Sequence, residues 1–377
     1  MDPLDFELRF VENKTKYNLG AVTDGSITTA KLADGAVTTA KIASGAGGMT
    51  ICTSTTKPVS PTVGQMIFET DTNYVRVYTS TGWSVGMRQQ IAFSAEYMVI
   101  AGGGGGGADM GGGGGGGGYL AGTSTFISGT SYTITVGAGG AGSNAAYLGA
   151  SPGGESGSNS SIGVSFVSIA GGGGGGGHRG DTQVNQAGKV GGSGGGAAGR
   201  MTNPGAGTAG QGFTGGFTGT EWNSGGGGGA GGASTNINGG VGVLNTILGP
   251  NYYWAGGGGG GGYTGSSGNG GRGGGGGGGG GSAVGTGGVD ALNNGAAGVG
   301  VGTTTGKGGA GGTNTGGGAG GSAHQDRNLA ASGGSGIVVI KYLTADGTGR
   351  TVTGGSITTS GLYTIHTFLS SGSFAIA

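Results

Sequence analysis

The chain has one cysteine, six prolines and three histidines in 377 residues, and only 8% of its residues are charged, with a net charge of zero. A lone Cys52 excludes an internal disulfide framework. Long disordered chains carry a charge excess or abundant proline, and this chain has neither. A nucleic-acid groove needs a basic excess, which is also missing, so no nucleic-acid partner is expected. His178, His324 and His366 are too scattered for a metal motif. The stretch "GTTTGKG" (302–308) has the wrong spacing for a phosphate loop, and no Ser/His/Asp hydrolase pattern occurs. The expectation is therefore not an enzyme, with no metal and no cofactor. The opening "MDPLDFELRF" is acidic and lacks an apolar core, and no apolar run approaches the roughly 18 residues of a membrane span. This reads as a soluble protein made in a reducing cytoplasm, without a cleavable signal and without membrane insertion.

What the chain has in excess is glycine. Of its 113 glycines, 98 fall among the 235 residues 102–336. Pure runs recur at Gly102–Gly107, Gly111–Gly118, Gly171–Gly177, Gly225–Gly229, Gly256–Gly262 and Gly273–Gly281. Glycine loses more conformational entropy on ordering than any other residue. Burial of side chains cannot offset that loss, so backbone hydrogen bonding must. Polyproline-II geometry has about three residues per turn, rises ~3.1 Å per residue and makes no internal hydrogen bonds. Its N–H and C=O groups point outward, so chains without Cβ atoms can pack side by side and bond to one another. The runs are thus expected to form a bundle of polyglycine-II helices, with the intervening sequences as displayed loops. Mixed runs such as "GGSGGGAAGR" (191–200) and "GGAGGTNTGGGAGGSA" (308–323) are expected at its edges.

The flanks have other periods. In "TDGSITTAKLADGAVTTAKIASGA" the apolar residues Val22, Ile27, Leu32, Val37 and Ile42 fall five apart, a period of neither helix nor flat strand. Three chains around one axis could bury such a stripe, one residue per layer; a single-chain β-helix also repeats every five. Alternation in "QMIFET" and "YVRVYTS", with a turn at 70–73 and another at "TGW", gives a small antiparallel meander whose core includes Trp83. "IAFSAEYMVIA" (91–101) and "GSGIVVIKYL" (334–343) are expected to pair as a floor for the glycine region, joined by strands in "TSYTITVGAGG" (131–141) and "IGVSFVSIAGG" (162–172). The alternating tail "GLYTIHTFLSSGSFAIA" reads as a terminal hairpin.

The repeat, the module "TTKPVSPTVGQMIFETDTNYVRVYTSTGW" and the bracket "EYMVIAGGGGGG … GGSGIVVIKY" together resemble the tail-fibre and adhesin proteins of tailed bacteriophages. The resemblance covers residues 20–342. It implies a homotrimeric virion appendage made in the host cytoplasm, polyglycine-II packing and loops that meet a host-surface protein or glycan. The segments expected are 1–19, an attachment to another virion protein; 20–50, trimeric shaft repeats through Val22, Ile27, Leu32, Val37 and Ile42; 51–90, the β-meander; 91–343, the glycine-rich domain on its β-strand floor; and 344–377, a C-terminal β-hairpin. The fold class is mostly β and irregular. A head fibre or collar appendage without a specific receptor is the alternative. A strand such as "YTIHTFLSSGSF" precedes the glycine domain in that family and here closes the chain.

If successive runs alternate outward and inward, one path sets the turns 178–190, 233–255 and 282–307 at the receptor end. His178, Arg179, Tyr252, Tyr253, Trp254 and Asp290 then become receptor-contact candidates, and Trp222 is placed at the floor. "YWAGG" resembles the floor lead-ins "VIAGG" and "SIAGG", which speaks for the opposite placement, with the aromatics packed on the floor.

Overall fold

The computed structural model describes residues 49–84, 86–88, 92–143, 152–177, 187–199, 203–220, 222–263, 266–300, 306–323 and 330–377. The expected attachment segment 1–19, the five repeat residues Val22, Ile27, Leu32, Val37 and Ile42, and also His178 and Arg179, lie outside them. The chain divides into two units, Met1–Gln89 and Gln90–Ala377.

In the first unit the alternating stretches form β2 (Met66–Glu69) and β3 (Tyr74–Thr79), after β1 (Thr50–Cys52) and before β4 (Gly82–Trp83) and β5 (Met87–Arg88). β2 and β3 pair antiparallel around a turn in which Asn73 takes φ +57°. β4 and β5 both pair with β3. β1 adds in parallel to β2, an addition its three residues do not announce. Glu69 is buried and holds the sheet together: Lys57 Nζ lies 3.0 Å and Arg76 Nε 2.7 Å from Oε1, while Thr72 Oγ1 donates to Oε2 at 2.6 Å. Burial pushes the Glu69 carboxyl up, but the hydrogen bonds from Thr72, Lys57 and Arg76 outweigh it and hold it below the usual range. Trp83 is half-buried, edge-on to Tyr78 at 5.2 Å between ring centroids, and not a core residue.

The second unit contains β6 (Ala92–Ile100), β7 (Tyr119–Ile127), β8 (Thr130–Thr135), β9 (Ser160–Ile162), β10 (Phe166–Ser168), β11 (Val243–Asn245), β12 (Tyr252–Trp254), β13 (Ile337–Leu343), β14 (Val352–Thr353), β15 (Ser356–Ser360), β16 (Tyr363–Phe368) and β17 (Gly372–Ile376). β6 and β13 pair antiparallel, Ile100 opposite Ile337, as expected of the bracketing strands. They are the centre of a five-stranded sheet ordered β15-β16-β13-β6-β7. A second sheet runs β10-β9-β8-β17-β14. Phe93, Tyr97, Val338, Ile340 and Phe368 of the first sheet pack against Ile134, Ile162, Phe374 and Ile376 of the second. On the opposite face Met98, Ile100, Ile337, Val339 and Ile365 pack against Ile247, Trp254 and Ala255. β6 and β13 are covered on both faces, which is why "YMVI" and "IVVI" are apolar throughout instead of alternating.

The tail holds a hairpin, β15–β16 with Ser356 opposite Thr367, but the hairpin does not stand apart. β16 lies beside β13, and β17 inserts between β8 and β14, with Phe374 opposite Tyr132. Residues 344–377 thus complete both sheets. The segment 162–172 holds not one strand but the end of a β9–β10 hairpin, Phe166 opposite Ile162.

The glycine runs are neither helix nor strand, yet they are buried and hydrogen-bonded. In the run 102–107 the donors repeat every third residue. Gly102 and Gly105 donate to Ser158 and Glu155, Gly103 and Gly106 to Gly334 and Ala331, and Gly104 and Gly107 to Gly115 and Gly112. The acceptors keep the same period. Gly102 and Gly105 receive N–H from Gly171 and Gly174, Gly103 and Gly106 from Gly140 and Ser143, and Gly104 and Gly107 from Ala319 and Ser322. One run therefore has six neighbouring segments, three through its N–H groups and three through its carbonyls. Residues 316–323, expected at an edge, are interior: Ala319 donates to Gly104 and accepts from Gly114, and both Ala319 and Ser322 have no exposed surface. The mixed run 193–199 is likewise buried, with Ala197 fully enclosed. Small side chains are thus admitted at some interior positions.

Candidate recognition surface

Register gives each run a direction. The run 111–118 is antiparallel to 102–107, and 171–177 is parallel to it. Residues 256–262 run antiparallel to 111–118, so they leave the sheets; 268–272 run antiparallel to 256–260, so they return. One end of the stack of runs is occupied by the sheets and the β11–β12 ribbon. The other end, marked by the turn 108–110, is built from turns. There Ser224 Oγ donates to Met110 O, and Gly177 N–H donates to Ala108 O at 3.0 Å.

This direction overturns part of the expected path. Tyr252, Tyr253 and Trp254 form β12 at the sheet end, paired with β11, Trp254 opposite Val243. Trp254 is fully buried against Met98 and Ile100 and cannot meet a partner at the surface. Asp290 is at the same end: its carbonyl accepts Tyr253 N–H at 2.7 Å, and its carboxylate lies 2.7 Å from Arg272 Nη2. The Arg272 guanidinium stacks on the Tyr253 ring at 4.1 Å. The four residues tie turns to the floor, as the likeness of "YWAGG" to the other floor lead-ins suggested. The physical reason is the short inward run 237–242, in which Gly239 and Gly242 donate to Asn269 and Arg272; it adds a return to the sheets that the expected path lacked.

Trp222, expected at the floor, lies instead at the far end, between the outgoing run 213–217 and the returning run 224–229. It meets Tyr263, the first residue after the run 256–262. Tyr263 N–H donates to Trp222 O at 2.9 Å, and the rings lie 5.3 Å apart at 32°. Trp222 is 44% exposed. Composition alone could have pointed to the pair, because tryptophan is rare in so glycine-rich a stretch.

At the sheet end a cleft of about 420 Å³ is lined by Tyr119, Gln211, Phe213, Thr214 and Val243, among others. Its polar groups serve the fold. Gln211 accepts from Ile169 N–H and donates to Val167 O, and Asn245 Nδ2 donates to Tyr119 Oη at 2.7 Å. Burial raises the Tyr119 phenol above its ordinary range, against the Asn245 bond, which lowers it. Among the described residues no group of three or more His, Cys, Asp or Glu side chains is placed to hold a metal, and no helix is long and apolar enough to cross a membrane.

Residues 79–302, more than half of the chain, match the family described as "Glycine-rich domain". The chain belongs to that family. No curated protein matches it.

Proposed function

We propose that this protein is a structural component of a bacteriophage tail fibre, in which a polyglycine-II lattice presents turns to a host receptor. The observation that carries the reading is the period-three bonding of run 102–107 to six neighbours. Three residues per turn with all polar groups directed outward is the geometry of the polyproline-II helix, and the absence of Cβ atoms allows the close approach. Such a stack is stiff along its runs, and its turns are held at a fixed spacing without a side-chain core beneath them. Recognition by loops on a rigid frame suits that construction. The sequence adds the fibre-like repeat, which would join three copies through Val22, Ile27, Leu32, Val37 and Ile42, and the segment 1–19, which would attach to another virion protein.

The test is an antibody raised against the purified protein. Gold-labelled antibody on intact virions should mark the tail-fibre tips, and its antigen-binding fragment should block adsorption to host cells. Label at the head or collar, with adsorption unchanged, would favour an appendage without a receptor. No label on any virion would refute both.

A further inference from the structure

We infer that the open face of the first unit's sheet is where copies of this chain meet, so that the meander is part of the joint between them; this rests on the joining of three copies proposed above. The sheet has two unlike faces. Ile51 lies opposite Phe68, Phe68 opposite Val75 and Met66 opposite Val77, so these five side chains share one face. Ile67 and Glu69, opposite Arg76 and Tyr74, share the other. That other face is the closed one: Ile67 and Glu69 are fully buried, with Lys57 and Arg76 on the Glu69 carboxylate. The wholly apolar face is the open one. Ile51 is 72% and Met66 41% exposed, and Phe68, Val75 and Val77 are half-buried. A one-sided sheet ordinarily packs its apolar face and turns its polar face to water. Here the arrangement is reversed.

Such a face needs a second layer. Among the described residues of this unit Ile67 is the one buried hydrophobic side chain. A sheet of this size ordinarily needs a disulfide, a metal or association to stay folded. Cys52 is the chain's one cysteine, and no group of His, Cys, Asp or Glu among the described residues is placed to hold a metal. Association remains, and the sequence indicates with what. The apolar repeat ends at Ile42, and the sheet begins at Thr50. The span 42–49 reaches at most ~25 Å, so three chains gathered at Ile42 bring three copies of the sheet to one axis. The face itself carries no charge to repel its own copy. It is also too small to hold copies together unaided. Three strands spaced ~4.8 Å apart, with about four residues each at ~3.3 Å, give on the order of 200 Å², against the roughly 800 Å² per partner of a standard interface. A foreign partner would have to find the rest elsewhere, whereas a second copy supplies it through the repeat.

The experiment is a dilution series of the full-length protein followed by light scattering. The double variant Ile51→Lys/Met66→Lys should raise the concentration at which half of the protein is monomeric by at least about ten-fold, the effect of losing one buried apolar side chain. Both side chains are exposed in the single chain, so its folding should be intact and its circular dichroism should match the parent. Val164→Lys and Leu362→Lys, at positions 95% and 76% exposed in the second unit, should leave the midpoint unchanged. Proximity is read separately. Ile51→Cys in a Cys52→Ser background should give linked copies with a short bis-maleimide, and Val164→Cys in the same background should not. An unshifted midpoint for the double variant, an equal shift for the two controls, or no linking through position 51 would overturn the inference. If Val37→Asp still separates the copies in that case, joining through the repeat stands and only the sheet is removed. A monomeric parent would overturn both, while antibody label at the fibre tips would still speak for the tail-fibre reading.

Discussion

Gly114→Ala tests whether the glycine stack is held by backbone contact. Gly114 sits inside the run 111–118, donating to Ala319 O at 2.8 Å and accepting from Gly258 N–H at 2.9 Å. A Cβ built there would lie 2.1 Å from Gly104 O, where real Cβ atoms essentially never come within 3.0 Å. The two runs must therefore part by at least about 0.9 Å, the difference of those distances. Three bonds join them: Gly104 to Gly115 at 2.8 Å, Gly107 to Gly112 at 2.9 Å and Ala101 to Gly118 at 3.3 Å. Added separation takes all three beyond hydrogen-bond range. Each lost bond costs ~1 kcal/mol net, and more where the groups stay buried without water. Alanine recovers ~0.4–1 kcal/mol through the unfolded chain. The expected net loss is about 3–6 kcal/mol, a large part of the ~5–15 kcal/mol that holds an ordinary domain. Gly210→Ala is the control: its φ is +76°, and nothing lies within 4 Å of its Cβ position. It should cost only the ~1–2 kcal/mol of a left-handed residue. Urea unfolding followed by Trp254 fluorescence compares the two. A Gly114→Ala protein within ~1 kcal/mol of the parent, or more stable than Gly210→Ala, would refute the close-packed stack.

Truncation after Leu343 should leave an insoluble or unfolded second unit, seen by circular dichroism, because it strips Phe368, Phe374 and Ile376 from the core at ~1.5–3 kcal/mol each. His366 is fully buried: its Nδ1–H donates to Gly354 O at 2.7 Å, so Nε2 accepts from Tyr342 O–H at 3.2 Å. Burial lowers its pKa against the opposing Gly354 bond, so the unfolded chain binds the proton more tightly; the stability due to neutral His366 is complete above the unfolded value of ~6.5 and is lost as pH falls below it, and His366→Gln should flatten that slope in melting curves recorded across pH. Val37→Asp should turn a trimer into monomers by light scattering, since it would place three like charges on one axis; a monomeric parent would end the trimer reading.

How far the sequence could be read depended on side chains. β6 and β13 were legible because apolar "YMVI" and "IVVI" mark strands, and their order at the two borders of the glycine region implies pairing. A floor hairpin was expected over 119–136, and strands β7 and β8 lie there, but β7 pairs with β6 and β8 with β9 and β17 of the other sheet. The tail's alternation gave its strands but not their partners, since β17 meets β8 across more than two hundred residues, and no local pattern encodes that distance. The period of three inside the glycine runs leaves no trace in composition, because identical residues carry no phase. For the same reason the path lost its way from residue 187 on: 187–192 return antiparallel to 171–177 and 193–199 go out parallel to it, where one inward leg was expected, because glycine turns at the two ends look alike. The reliable marker was chemical: "VIAGG", "SIAGG" and "YWAGG" each place a large apolar residue just before a run, and all three lie at the sheet end. His178 and Arg179 rested on the same count of turns, and nothing in their local sequence fixed them independently.

The two tryptophans of the second unit differ in what the fold asks of them. Trp254 is fully buried against Met98, Ile100 and Val339, so Trp254→Ala removes a side chain from a packed core and should cost ~3–5 kcal/mol. Trp222 is 44% exposed and belongs to neither core, and its turn is held by backbone bonds and by the Thr218 and Ser224 hydroxyls. Trp222→Ala should therefore stay within about 1 kcal/mol of the parent, the range of surface changes. The asymmetry follows from the architecture. At the sheet end order comes from apolar side chains, and at the far end from backbone groups helped by hydroxyls such as that of Ser224, none of which involves the Trp222 indole. Denaturation of the two variants, read by the remaining tryptophans, tests this. Equal losses would mean that the far end has a core of its own.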